Sequence, residues 1–207
     1  MNKNKLQVQG GCIHFSVDVT STHSHLFRIT LTVAKPSALQ RLSLPVWIPG
    51  SYLVREFSKN LQHLQAHQGR RQLAVSPIDK CSWSVVCDIA KPLLVTYEIY
   101  ALDNSVRTAW LDAARGFFNG CSMFLRVEGQ TDAPHQVEIV APSSLKTWRL
   151  VTGLAAVDVG KSGFGSYRAD DYDELVDCPV ELGAFWSGEF KAGGVPHRFV
   201  EIGRAHV

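Results

Sequence analysis

The side chains able to do chemistry fall into three groups. Six carboxylates crowd the stretch Asp170, Asp171, Asp173, Glu174, Asp177 and Glu181. An anionic lip of this kind would hold a cationic group such as a free amino terminus. Two unit charges about 4 Å apart gain roughly 4 kcal/mol at an effective dielectric near 20, enough to select substrates. The same residues also suit a helix N-terminus, whose dipole favours negative charge. Histidines form the second group. His63 and His67 have the i, i+4 spacing of a helical zinc pair, but Leu64 stands where such a helix needs its general-base Glu. The local pattern reads as strand, which sets the two rings about 13 Å apart at roughly 3.3 Å per residue, too far to share one ion. His23 and His25 have no third ligand within sequence reach. The cysteines are the third group: Cys12, Cys81, Cys87, Cys121 and Cys178 are odd in number and lack C-x-x-C spacing. Cys81 and Cys87 on one strand face would lie roughly 20 Å apart, beyond disulfide reach. Neither a disulfide framework nor a zinc ribbon follows, and a reducing, cytoplasmic setting is the simplest expectation. With no G-x-S-x-G, phosphate-binding glycine loop or dinucleotide fingerprint, no catalytic and no metal-ligating residue is assigned.

The elements that must position these groups are strands. Over 207 residues, 45% apolar and 19% charged, the chain has globular proportions and length for one large or two small domains. A net charge of +2 with no basic run beyond Arg70-Arg71 excludes the stripe of a nucleic-acid binder. Gln7-Val8-Gln9-Gly10-Gly11 follows the basic start where a signal peptide needs an apolar core, and no apolar run reaches membrane length. Ile13 to Thr20 and Phe27 to Val33 alternate strictly and should pair as antiparallel neighbours. Leu39 to Ile48, Leu61 to Gln68, Leu73 to Ile78, a strand around Trp83 to Cys87, Met123 to Val127, Gln136 to Val140 and Trp148 to Thr152 read as further strands. Leu93 to Tyr100 reads as a strand buried on both faces. Arg107 to Gly120 reads as a loop with a short buried insertion, and Gly153 to Gly165 as a loose hairpin or surface loop. Asp171 with Glu174 three residues on predicts a short helix, which Pro179 must end. About ten short strands with regular turn signals predict a mainly β protein, an antiparallel β-sandwich or curved sheet with one or two short helices.

A corner punctuates the third strand. Pro49 presets φ near −65° and Gly50 accepts φ > 0, the pair a type II turn needs. Trp47, Pro49, Gly50 and Tyr52 are its structural residues, and a buried Trp47 would anchor it, with about 200 Å² of side chain worth roughly 5 kcal/mol at most. Beyond the turn, Val54, Phe57 and Leu61 are spaced so that one helical or 3₁₀ segment would press all three onto the core.

Three segments carry a family resemblance: Pro45-Val46-Trp47-Ile48-Pro49-Gly50-Ser51-Tyr52-Leu53-Val54-Arg55, then Thr108-Ala109-Trp110-Leu111-Asp112 with Gly116-Phe117-Phe118-Asn119-Gly120, then Tyr172 to Glu181. In order and spacing they resemble the N-terminal domain of the glycyl aminopeptidase family of zinc metallopeptidases, over nearly the whole chain. The resemblance implies a β-rich domain followed, in a complete protein, by a thermolysin-like zinc domain and a C-terminal PDZ domain. These missing domains would be its partners, with a peptide substrate in the parent and neither nucleic acid nor membrane. In such enzymes a His-Glu-x-x-His helix and a downstream Glu hold the zinc. This chain has none of them, so it carries no cofactor of its own, zinc is expected in the missing catalytic domain, and the fragment alone is expected to be inactive. Related aminopeptidases hold the substrate's amino group with an acidic residue from the N-terminal side, which makes Asp177 and Glu181 the substrate-binding candidates.

The expected organisation is an N-terminal β domain over 1–183, the start of a connection to the catalytic domain over 184–200, and a tail over 201–207. That tail, Glu201-Ile202-Gly203-Arg204-Ala205-His206-Val207, looks like a translated sequencing adapter and is expected to be non-native. The rival expectation is a stand-alone β-sandwich module in which exposed Trp47, Tyr52 and Trp110 stack on a peptide or carbohydrate. Such a module closes its sheet edges, whereas a fragment ending near Val200 leaves one open.

Overall fold

The computed structural model describes residues 11–48, 50–142 and 145–201. Pro49 and all of the expected tail but Glu201 lie outside the described residues. The main layer is an eight-stranded sheet in the order β14 (Ala155–Val159), β15 (Gly165–Ala169), β12 (His135–Val140), β1 (Ile13–Ser21), β2 (Leu26–Val33), β8 (Leu93–Tyr100), β4 (Leu61–Gln68) and β5 (Arg71–Leu73). β1 and β2 pair antiparallel, as their alternation predicts, while β1 pairs β12 in parallel. Two four-stranded sheets form the second layer. One is ordered β13 (Arg149–Thr152), β16 (Val180–Gly183), β10 (Arg115–Phe118), β9 (Ala109–Leu111). The other is ordered β11 (Arg126–Val127), β3 (Leu39–Ser43), β7 (Ser82–Val86), β6 (Val75–Pro77). The β-sandwich expectation stands.

Period-2 patterning builds the core. Ile13, Phe15, Val17 and Val19 of β1 and Phe27, Ile29, Leu31 and Val33 of β2 are all buried on one face, and they join Phe118, Leu150 and Leu182 from the opposing layer in one cluster. Aromatic rings bridge the layers: Phe27 meets Phe118 edge-on at 5.4 Å, and Phe15 lies 4.9 Å from Phe124. The Tyr97 hydroxyl donates to the Met123 carbonyl at 2.8 Å, so the buried phenol is satisfied.

Several expectations change. β8 alternates rather than being buried on both faces, with Leu94 38% exposed, because only one face of the main sheet is covered. β3 stops at Ser43, and 44–48 is irregular chain. Leu73 to Ile78 is not one strand: β5 belongs to the main sheet and β6 to a small one, so the chain changes layer at Ala74. Regular strand within Met123 to Val127 is confined to β11. The expected loop 107–120 contains the hairpin β9–β10, closed by Asp112, whose side chain accepts from the Ala114 and Arg115 amides at 2.7 and 2.8 Å. Gly153 to Gly165 is the hairpin reading made regular by β14. The chain of 184–200 forms a separate ribbon, β17 (Trp186–Ala192) with β18 (Val195–Glu201).

Candidate functional site

The corner turns as its residues predict. Gly50 has φ 76° and the Ser51 amide donates to the Ile48 carbonyl at 3.2 Å, a turn hydrogen bond with Gly50 in the left-handed region. The Arg55 amide then donates to the Val46 carbonyl at 2.6 Å, and the Arg55 guanidinium to Ser51 Oγ at 3.2 Å. The anchor, however, is not Trp47. That ring is 54% exposed and Tyr52 is fully exposed, while Leu44, Ile48 and Phe57 go inward. With strand geometry lost after Ser43, Leu44 and Ile48 take the inward positions and Trp47 is left facing out. Phe57 alone of the predicted trio is buried: it opens a 3₁₀ turn (Phe57–Asn60), Val54 is 75% exposed, and Leu61 is half-buried at the head of β4.

Helix α1 (Tyr172–Asp177) is held by the predicted cap. Asp171 accepts from the Glu174 amide at 2.8 Å, and the Glu174 carboxylate accepts from the Asp170 amide at 2.6 Å, satisfying two end donors reciprocally. Cys178 is extended before Pro179, so the helix ends there. A glycine sets its position. A Cβ on Gly120 would lie 2.6 Å from the Val176 Cα and 2.9 Å from the Leu175 carbonyl oxygen, so only glycine lets the 3₁₀ turn Gly120–Ser122 abut the helix.

Between this helix and the corner runs an open groove of about 980 Å³. Its apolar side is Leu44, Val46, Trp47 and Ile48. Its acidic residues are Asp171, Asp173, Glu174 and Asp177, and Asn119, Cys121 and Arg126 also line it. Four carboxylates face one guanidinium, so the groove is anionic. Asp171 and Glu174 are committed to capping. Asp177 is exposed at the last helical residue, where the dipole disfavours an anion, so helix stability does not explain it. Burial raises the Cys121 thiol to about 11, with Asp177 and Asp173 adding to the rise, which makes it inert as a nucleophile at neutral pH.

Asp177 and Glu181 part company. Glu181 sits in β16, 6% exposed and outside the groove, with Arg115 Nε and a terminal guanidinium nitrogen donating to its two oxygens at 3.1 and 3.2 Å. Burial raises its pKa and Arg115 opposes the rise. Asn119, Cys121 and Arg126 escape sequence reasoning because they come to line one groove with Asp177 only through tertiary packing.

Zinc does not fit these residues. Among the described residues no group of three or more His, Cys, Asp or Glu side chains is placed to hold a metal ion. His63 lies on β4 at φ 52°, exposed, its Nδ1 2.8 Å from Glu98, while His25 Nδ1 donates to the Leu111 carbonyl at 2.6 Å. The cysteines are unbridged, and no helix among the described residues is long and apolar enough to cross a membrane.

A two-layer β domain presenting an anionic groove beside an exposed aromatic corner, with no metal centre among its described residues, is the class of protein these features define. The Peptidase M61 N-terminal domain matches residues 14–184, and the chain belongs to that family. Among solved structures it is similar to an aminopeptidase N family protein from Idiomarina loihiensis, at 40% identity and TM-score 0.89, over 93% of this chain and 32% of that one. The chain therefore spans about a third of that relative's length. Legionella pneumophila aminopeptidase A in complex with aspartic acid shares the fold at 10% identity and TM-score 0.52, over 91% of this chain and 23% of that one. Yeast LTA4 hydrolase in complex with bestatin does so at 10% identity and TM-score 0.50, over 86% and 29%. No curated protein sequence matches the chain.

Proposed function

We propose that this domain walls one side of the substrate cleft in a zinc aminopeptidase of the glycyl aminopeptidase type, whose hydrolytic centre is carried by a domain that follows in a longer, PDZ-containing polypeptide. The carrying observation is the family match over 14–184 together with 40% identity to one third of an aminopeptidase N family protein. The chain alone then lacks activity. Within the groove, Asp177 is the residue for the substrate's amino group, being exposed and without a role in the helix. Glu181 acts structurally, through Arg115. Five unbridged thiols suit a reducing compartment such as the cytoplasm.

The test is expression of the reading frame extended past Val200 and assay on glycyl and other aminoacyl anilides, with and without a chelator. The long protein is expected to hydrolyse them only with its metal, and the 207-residue chain not at all. A metal-loaded long protein without peptidase activity, or one indifferent to chelation, overturns the proposal. In the active protein Asp177→Asn is expected to raise KM about tenfold or more with little change in kcat, the mark of lost ground-state binding, and an unchanged KM removes Asp177 from the role. The exposure of Trp47 and Tyr52 favours a second reading, a binding module for peptide or carbohydrate, in which the 207-residue chain itself binds glycans or peptides and Trp47→Ala abolishes that binding.

A further inference from the structure

The ribbon β17–β18 gathers its aromatic side chains on one exposed face. Its register pairs Gly188 with Phe199, Phe190 with His197 and Ala192 with Val195. Paired residues share a face and neighbours alternate, so Trp186, Phe190, Val195, His197 and Phe199 lie on one side. The rings join across the strands, Trp186 with Phe199 at 6.2 Å and Phe190 stacked on His197 at 5.1 Å. Yet Trp186, Phe190, Val195 and Phe199 are each more than half exposed.

The opposite side carries Ser187, Glu189, Lys191 and Arg198, of which Ser187 alone is partly buried. Arg149 of β13 donates to Ser187 Oγ at 3.3 Å and to the Phe185 carbonyl, and its guanidinium lies over the Phe185 ring. Arg198, also on that side, acts electrostatically on Tyr167 of β15. A two-stranded ribbon is marginal in water unless a hydrophobic face is packed. A concentrated aromatic patch on a surface marks a contact site.

We infer that this aromatic face is the docking surface for the domain that follows in the longer polypeptide, covered there by an apolar, uncharged face of that domain; the inference rests on the reading of the preceding subsection. Two observations select this occupant over a second copy. The family match ends at residue 184, so the ribbon, which starts at Trp186, lies beyond the matched domain. The solved relative devotes about two thirds of its length to what this chain does not cover, since the overlap is 32%.

Hydroxyl-radical footprinting read by mass spectrometry, on the 207-residue chain and on the protein from the extended frame, tests the inference. Oxidation of Trp186, Phe190 and Phe199 is expected to fall several-fold in the long protein. Equal oxidation in the two proteins overturns the docking face. So does protection that is lost on dilution, or that the short chain shows as a dimer, both of which assign the face to a second copy. Phe190→Ser with Phe199→Ser provides a second measurement. The pair is expected to leave the midpoint of the short chain within about 2 °C and to lower that of the long protein by about 5 °C or split its melting in two. No effect on the long protein overturns the inference. Zinc content and peptidase activity of the same long preparation separate the two failures. An active zinc protein with an unprotected ribbon sinks the docking face alone, a protected ribbon without zinc sinks the peptidase reading alone, and a frame that stops soon after Val200 sinks both.

Discussion

Two aromatic-rich segments of this domain have opposite fates. The corner 44–57 sends Leu44, Ile48 and Phe57 inward and leaves Trp47, Tyr52, Leu53 and Val54 in water, whereas 109–125 buries Phe118, Phe124 and Leu125 almost completely. Composition does not distinguish them. Backbone geometry does: the second segment contains a registered hairpin and a 3₁₀ turn, while the corner is a loop closed on itself by the Ser51–Ile48 and Arg55–Val46 backbone hydrogen bonds. The interior segment supports the fold, and the corner offers Val46 and Trp47 to the groove. The ribbon β17–β18 likewise leaves its aromatic rings exposed, and a concentrated exposed apolar patch is the kind of surface that serves contact.

The largest effect that would break this contrast is in the interior. Phe118→Ala removes a ring packed against both Phe27 and Phe124 and is expected to cost about 3–5 kcal/mol in denaturant unfolding. A loss under about 1 kcal/mol, the range of ordinary substitutions, would show the segment is not core. Next comes Gly50→Val. A β-branched residue at φ 76° is expected to destabilise by about 1–3 kcal/mol, and unchanged thermal stability would remove the turn.

A smaller, pH-dependent effect sharpens the interior side. His135 is wholly buried, stacks on Phe15 and packs on Tyr172, donates from Nδ1 to the Ala133 carbonyl at 2.7 Å, and leaves Nε2 unpaired among the described residues. Burial lowers its pKa against the opposing pull of the backbone carbonyl and of Asp171. A depressed histidine pKa means the unfolded chain binds the proton first. Its stabilising contribution is present above the ordinary value near 6.5 and is lost as pH falls below it toward the folded pKa. His135→Phe should therefore flatten the loss of thermal stability on acidification, leaving the part due to His14, whose pKa burial also lowers. An identical pH profile would show that His135 is not held neutral. The smallest effect is Trp47→Ala, expected to stay within about 0.5 kcal/mol by chemical denaturation. A loss of several kcal/mol would restore Trp47 as the anchor of the corner.

Local features of this fold were legible in the residues. Strict alternation in Ile13 to Thr20 marked β1 and its buried face, Pro49-Gly50 marked the turn, and Asp171 with Glu174 marked the helix cap, because each depends on side chains within a few positions of one another. What depended on distant partners was hidden. The parallel pairing of β1 with β12 joins segments more than a hundred residues apart, and no local pattern distinguishes a parallel from an antiparallel neighbour. The reading of β8 as doubly buried failed because a β-rich apolar run does not reveal whether a second layer covers its far face. The site followed the same rule. The acidic stretch was visible as composition, but the separation of Asp177 from Glu181 turned on Arg115, which lies 66 positions away from Glu181 in the chain and on the directly paired strand in space.

The proposed function places a zinc centre elsewhere in a longer polypeptide. Sequencing the parent locus beyond the codon for Val200, from independent genomic DNA, tests it most directly. A His-Glu-x-x-His motif within the next domain, with a glutamate downstream, is the predicted result. A stop codon shortly after that point would contradict it, and would leave a β protein whose groove and aromatic faces must serve binding alone.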